Sequence, residues 1–349
     1  MFLAIKEIKH DKLRYGLIIS LIFFVSYLVF VLTGLASGLS NLNKSALEPW
    51  HAERIILNKD AQGRLAQSFL PLRDLGKIGN RGAQIAQYST IVKGKSGQKE
   101  ENTQLLAVNK DEFIYKRLPL IAGDKFTAEK EALASAKFKT DGYKVGDYFT
   151  TANSKEQIKI VGFTKEASLN AAPVVYISFE TLGKIDKDVT NGVVLNKKLD
   201  KNIKLSDSES YTLTQFINKL PGYSAQQLTF NFMIGFLFII ILIIISIFLY
   251  ILTIQKLPNF GVMKAQGIPT RYLVLNTLTQ TLIISVAGVG VAIVLSILTA
   301  VVLPTQVPIS ISLSSVCVAG TGIILMSLLG SLIPIQQIIR VDPVKMIGG

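Results

Sequence analysis

Glu48, Trp50 and His51 stand within four residues of one another, just past an apolar run that closes near Asn43. They are the side chains of this chain best suited to hold a ligand. A carboxylate and an imidazole can each ligate ferric iron, and an indole offers a flat apolar face to a planar ring. The same residues also have a plain structural use, with Trp50 as an anchor at a membrane surface and His51 as an ordinary surface residue. Tyr223, Gln226 and Gln227 occupy the matching end of a second apolar run, with Met233 slightly inside it. Lys44 and Arg54 flank the first group, where they could pair with carboxylates of a bound molecule. Catalytic chemistry is harder to find. No G-x-x-x-x-G-K-[ST] occurs, and Gly94-Lys95-Ser96-Gly97 has the wrong spacing to cradle phosphates. Two histidines and one cysteine in the whole chain build neither a hydrolase triad nor a zinc site of ordinary composition. No catalytic residue, resident metal or intrinsic cofactor is expected.

What must position these residues is a set of membrane spans. From Tyr272 to Ile339 the sequence holds no Lys, Arg, Asp, Glu or His, a stretch of 68 residues (339 − 272 + 1). A helical crossing takes about 20 apolar residues, so this stretch holds two spans and a turn. Pro304 and Pro308 mark the turn. Two further apolar runs lie between Arg14 and Lys44 and between Lys219 and Lys256. The run after Arg14 is longer than the roughly 7–15 residues of a signal-peptide core, so it reads as a retained span. The expected fold class is a membrane all-α domain of four spans, one and then three, with an inserted extracytoplasmic α+β domain. The boundaries are 1–14 for a cytoplasmic amphipathic helix, 15–40 for span 1, 41–228 for the outside domain and 229–255 for span 2. There follow a coupling loop at 256–271, span 3 at 272–303, an outer turn at 304–311, span 4 at 312–339 and a tail at 340–349.

Charge sets the expected orientation. Lys6, Lys9, Lys12 and Arg14 precede span 1, Lys256, Lys264 and Arg271 separate spans 2 and 3, and Arg340 and Lys345 follow span 4. An even number of spans puts these segments on one side, and their positive bias makes that side cytoplasmic. The net charge of +13 divides about evenly between the two faces, which suits anionic lipid better than nucleic acid. The N-terminal helix carries Phe2, Ile5 and Ile8 at three-residue spacing, with His10 near its end, and reads as lying in the membrane interface. Cys317 lies inside span 4, so the outside domain has no disulfide. That suits a bacterial setting, with Cys317 as a small packing residue.

Within the outside domain, 54–57, 84–92, 104–108, 157–163, 174–178 and 192–195 read as strands, and 142–147 as a turn into another. Segments 127–136 and 213–219 read as short helices, the second capped by Thr212 or Thr214. In the membrane, Gly34 and Gly38 share one helix face and read as a packing surface at or near a dimer interface. Gly288, Gly290, Gly320, Gly322 and Gly330 suggest close packing of spans 3 and 4. Between spans 2 and 3, Phe260, Val262, Met263 and Ile268 are set among cations. This segment reads either as a loop on the headgroups or as a coupling helix seated in a cytosolic partner.

Three features together resemble a known family. One span, a large outside domain and three more spans are the plan of the MacB/FtsX-like ABC transporter permeases. Phe260-Gly261-Val262-Met263-Lys264-Ala265-Gln266-Gly267 is similar to that family's motif between the second and third spans, and Val341-Asp342-Pro343 opens an ending like its terminal motif, with Met346 where alanine is usual. The starts Phe2–Ile8, Thr33–Leu39 and Tyr250–Lys256 further resemble the haem-exporting branch of Gram-positive bacteria. The resemblance implies a homodimer served by two copies of a cytosolic ABC ATPase, which brings the ATP. It implies Phe260, Gly261, Val262, Met263, Lys264, Ala265 and Gly267 as the ATPase-coupling residues. It also implies haem as the transported ligand; if haem binds, the candidates to hold it by their place at the outer ends of spans 1 and 2 are Glu48, His51, Trp50, Tyr223, Gln227, Met233, Lys44 and Arg54. Export of a peptide or other amphiphile, or FtsX-like signalling to an extracellular hydrolase, stands as the alternative.

Overall fold

The computed structural model describes residues 2–70, 82–185, 190–196, 207–304 and 307–342. The terminal motif beyond Asp342, the tip of the turn at 305–306 and most of the Lys-rich 195–204 tract lie outside the described residues. The chain divides into two units, Met1–Gly38 with Gln227–Gly349, and Leu39–Gln226.

Four helices, lying mainly in the first unit, are long and apolar enough to cross a membrane: Lys12–Trp50, Tyr223–Ala265, Thr270–Val302 and Leu313–Arg340. They are called spans 1 to 4 below. Isoleucine, leucine, valine and phenylalanine cover them on all sides, which only lipid or neighbouring helices can satisfy. Their shared core joins Tyr15, Ile18, Ile22 and Phe30 of span 1 to Ile241 and Ile245 of span 2, Ile284 of span 3 and Ile323 of span 4.

Span 2 differs from its expected bounds. The helix continues through Ala265, so 256–265 is helical where a loop was expected. Leu257, Phe260 and Met263 recur at three-residue spacing and share a small core with Leu273 and Ile338, and that burial carries the helix past Pro258. Gly267 ends it, with φ +87°. The Gly267 N–H donates to the Lys264 carbonyl and the Ile268 N–H to the Met263 carbonyl, each at 3.0 Å. This pair of bonds satisfies carbonyls a helix end leaves open. Span 4 breaks at Ser331, between helices Leu313–Gly330 and Leu332–Arg340.

Glycine packing also departs from expectation. A Cβ on Gly288 would meet Ile22 of span 1 at 2.8 Å, and one on Gly322 or Gly330 would meet Phe238 or Leu242 of span 2. Only Gly320 abuts span 3, at Val289, and Gly290 faces open space. The glycines therefore join span 3 to span 1 and span 4 to span 2, more than 3 to 4.

The inserted unit is built on a mixed sheet. In chain order its strands are β1 (Arg54–Asn58), β2 (Gly82–Lys93), β3 (Glu101–Val108), β4 (Leu120–Gly123), β5 (Glu131–Ser135) and β6 (Tyr148–Thr151). They continue as β7 (Ser154–Thr164), β8 (Ser168–Leu169), β9 (Ala172–Ile177), β10 (Gly192–Leu195) and β11 (Ser208–Thr212). The spatial order is β11-β1-β10-β2-β3-β9-β5-β7-β4, with β6 against β2 and β7, and β8 against β9. Both faces are buried. Along β3, Leu106 and Val108 enter one core while Leu105 and Ala107 enter the other; along β9, Val174 and Tyr176 oppose Val175 and Ile177. The six expected strands are all present. The helix expected over 127–136 is absent, because Glu131–Ser135 pairs with β7 and β9. Its Glu-Ala-Leu-Ala-Ser composition favours a helix, and burial on both faces between two strands overrides that preference. The helix Leu213–Asn218 is present, with Thr212 and Gln215 exchanging side-chain and backbone hydrogen bonds in a capping box.

The hairpin joining β8 to β9 turns on Asn170 and Ala171, both left-handed at φ 52° and 61°. Such a pair makes the tight turn that matches strand twist. Its N–H groups donate to the carbonyls of Asn43 (3.2 Å) and Leu42 (3.1 Å), which the end of the preceding helix leaves open. Ala171 is strained there, since a Cβ disfavours this region by roughly 1 kcal/mol. Ala171→Gly should therefore stabilise the inserted unit by about 1 kcal/mol, read as a higher thermal midpoint for its protease-resistant core. An unchanged or lower midpoint would contradict this account of the turn.

Candidate functional site

The turn that follows Lys44 is a short 3-10 helix, Ser45–Trp50. Its residues divide between core and surface. Ala46, Leu47 and Trp50 enter the core of the inserted unit beside Tyr176 and Phe216, while Glu48 is exposed. His51 ends the turn in the left-handed region (φ 45°, ψ 46°), its N–H donating to the Glu48 carbonyl at 3.4 Å. Its side chain is exposed as well. Four bonds fix the turn from beneath. The Tyr176 hydroxyl donates to the Ala46 carbonyl at 3.2 Å, and the Ser168 N–H donates to the Ser45 hydroxyl at 2.9 Å. The Ser45 hydroxyl reaches the Ser168 carbonyl at 3.5 Å, and the Arg117 guanidinium donates to the Trp50 carbonyl at 2.8 Å. Burial pushes the Tyr176 hydroxyl well above its ordinary pKa, so it stays a neutral donor.

Sequence reasoning missed Arg117 and Tyr176. Each acts on a backbone carbonyl far away in the chain, and no local pattern signals that.

The other candidates scatter. Trp50 has no exposed surface, so it can neither stack on a ligand nor anchor at a headgroup. It was expected to do one or the other, and the core claimed it because the helix turns its indole inward with Leu47. Arg54 is engaged by Ser210, its Nε donating to the hydroxyl at 2.7 Å and a terminal nitrogen to the carbonyl at 2.8 Å. Lys44 is half-buried. Tyr223 is buried, its hydroxyl 3.1 Å from that of Ser40, and Gln226 accepts from Asn43 at 3.4 Å. Gln227 and Met233 belong to the membrane unit, with Met233 exposed on its helix. Within the inserted unit the structure thus brings Glu48 and His51 together, with Lys44 one turn before them. A cleft of about 250 Å³ in the same unit, lined by Arg64, Leu65, Gln87, Asn170, Lys219 and Leu220, contains none of the candidates.

The expected coupling residues also divide. Phe260 and Gly261 are buried, and Met263 and Lys264 half-buried, whereas Val262, Ala265 and Gly267 are exposed. The Lys264 ammonium donates to the carbonyls of Ile338 (2.8 Å), Ile339 (3.2 Å) and Val341 (3.2 Å). It thereby closes the end of the helix Leu332–Arg340, where a cation complements the helix dipole. Gly34 and Gly38 pack against the chain's own 308–311 segment. The Ser310 N–H donates to the Gly34 carbonyl at 3.0 Å, and a Cβ on Gly38 would lie 1.9 Å from the Pro308 carbonyl oxygen.

Residues 231–343 match the family described as FtsX-like permease C-terminal. The chain carries an FtsX-like permease domain. Over its whole length the chain is 28% identical, across 360 residues and 99% of the relative, to a Staphylococcus haemolyticus protein named "Putative hemin transport system permease protein HrtB". The protein of the same name from Staphylococcus epidermidis is 26% identical over 355 residues, again all of this chain and 99% of the relative. An uncharacterized ABC transporter permease of Mycobacterium tuberculosis is 20% identical over 362 residues, with the same coverage. Among solved structures, the extracellular domain of the transporter YknZ from Gram-positive bacteria aligns with 44% of this chain and 86% of its own. Its identity is 16% and its TM-score 0.34.

Proposed function

We propose that this chain is the permease subunit of an ABC-type efflux transporter that takes haem from the membrane and expels it outward. In this reading it works as a homodimer with two copies of a separate cytosolic ATPase. Its termini are cytoplasmic, and the inserted unit lies outside. The observation that carries the reading is its end-to-end similarity to the two HrtB-named relatives, which extends through the inserted unit as well as the spans. The turn after span 1 suits the cargo: Glu48 and His51 are both exposed there, a carboxylate and an imidazole able to ligate ferric iron. Lys44, one turn before, can pair with a propionate. The positive bias of the short segments supports the orientation.

A haemin titration of the purified full-length protein tests this. The Soret band should shift on binding, and Glu48→Gln or His51→Ala should weaken binding by about tenfold, as loss of a ligand does. A wild-type protein that leaves the Soret band unmoved, with haemin failing to stimulate the co-purified ATPase, would overturn the haem reading. Stimulation by peptides or other amphiphiles instead would replace it with a different cargo.

A further inference from the structure

Four helices of the membrane unit meet at one closed ring of hydrogen bonds. The helix Phe2–His10 turns Ala4, Glu7 and Ile8 inward: Ala4 is fully buried, Ile8 packs on the core of the spans, and Lys6, Lys9 and His10 are exposed. The Glu7 carboxylate sits 2.8 Å from the Lys256 ammonium at the end of the apolar part of span 2. That ammonium also donates to the Tyr15 hydroxyl of span 1 at 3.0 Å. The Tyr15 hydroxyl donates to the Gln280 side-chain oxygen of span 3 at 3.0 Å, and the Gln280 amide donates back to Glu7. The side chains of Lys256 and Glu7 are only 16% and 20% exposed, and Tyr15 and Gln280 are buried.

Such a ring is a firm joint. A desolvated ion pair whose partners are both hydrogen-bonded elsewhere resists partial opening, since removing either charge strands the other in a poor solvent. The N-terminal helix is therefore not merely resting in the interface by its apolar face. One of its inward residues is an acid matched to a cation 249 residues away. Where Lys264 closes the end of the helix Leu332–Arg340, the last span joins the same side of the unit.

On the reading given above, we propose that Glu7, Tyr15, Lys256 and Gln280 are positioning residues for energy coupling. They fix the N-terminal helix to spans 1, 2 and 3, so that a movement delivered to that helix or to the end of span 2 by the cytosolic ATPase moves all of them together. The exposed face of the helix, with Lys9 and His10, is then part of the surface the ATPase meets.

The test uses the full-length permease purified with its ATPase. Glu7→Gln and Lys256→Met are each expected to lower the permease-dependent ATPase rate by about fivefold, the scale of a coupling energy between sites. The KM for ATP and the amount of ATPase retained should be unchanged. Tyr15→Phe keeps the packing and removes the two bonds its hydroxyl makes in the ring, and should lower the rate by about twofold. The exchanged pair, Glu7→Lys with Lys256→Glu, should recover most of what the single variants lose, because it restores the ion pair. Wild-type rates in Tyr15→Phe and either charge variant, or an exchanged pair no better than its singles, would overturn the proposal. Failure of the wild-type chain to retain any ATPase would instead sink the transporter reading, and this proposal with it, before any variant is compared. The proposal needs no particular cargo, so a negative haemin titration leaves this experiment decisive.

Discussion

Gly38→Ala should destabilise the membrane unit by on the order of 3 kcal/mol, near the upper end of what overpacking costs. The added carbon would fall 1.9 Å from the Pro308 carbonyl oxygen and 2.5 Å from its carbonyl carbon. Those atoms are backbone, so no rotamer change relieves the clash, and span 1 must move away from the 307–311 segment. That motion also lengthens the bond from the Ser310 N–H to the Gly34 carbonyl. Gly34→Ala makes a sharp comparison. Its nearest neighbours are side-chain γ carbons of Ile309 and Ile311 at 3.1–3.2 Å, which need give by only a few tenths of an ångström, and alanine gains helix propensity of about 1 kcal/mol over glycine. Its net effect should be within about 1 kcal/mol of zero. Thermal unfolding midpoints of the detergent-purified protein, followed by size-exclusion monodispersity, read both. If the glycines instead served contact with a second copy, Gly38→Ala would shift the oligomeric state and leave the unfolding midpoint in place.

How much of this was legible in the sequence depends on whether the cause was local. The spans were, because a charge-free run of that length has one physical solution. Most strands were too, since β-branched runs between turns reflect burial on the sheet. Glu131–Ser135 was not: its residues prefer a helix, and only its neighbours β7 and β9, distant in sequence, make it a strand. The extension of span 2 through Ala265 was masked by Pro258 and the surrounding cations, while the deciding fact was the burial of Phe260 against Leu273 and Ile338. The same division runs through the candidate site. Exposure of Glu48 and His51 follows from polar residues on a short turn. The ring of Glu7, Tyr15, Lys256 and Gln280 draws on four separate helices, and its one sequence trace is Gln280, a polar residue in the middle of a span.

Lys264 shows how a motif can be found while its own contacts go unseen. The residues around it stand out by composition, and a basic residue between spans invites a role in meeting an ATPase. Its ammonium bonds three carbonyls of its own chain, leaving Val262, Ala265, Gln266 and Gly267 as the exposed members of the segment.

Trp50→Ala should cost the inserted unit about 3–5 kcal/mol, the usual range for emptying a large buried aromatic site. The indole is fully buried with Leu47, Tyr176 and Phe216, and Trp50→Phe, which keeps an aromatic ring in place, should lose about half as much. Trp50 is the single tryptophan of the chain, so its emission should be blue-shifted in the native protein, and unfolding of the alanine variant must be followed by circular dichroism or protease resistance. The consequence reaches the site. His51 holds a left-handed backbone, a conformation that costs about 1 kcal/mol or more and lasts only where its surroundings enforce it. The enforcing contacts are the buried indole on one side and the Arg117 bond to the Trp50 carbonyl on the other. On the proposed haem reading, Trp50→Ala should therefore weaken haemin binding together with stability, and Trp50→Phe should restore most of both. A tryptophan that stacked directly on the cargo would behave differently: its alanine variant would lose binding while unfolding at the wild-type midpoint, and that result would return Trp50 to the ligand surface.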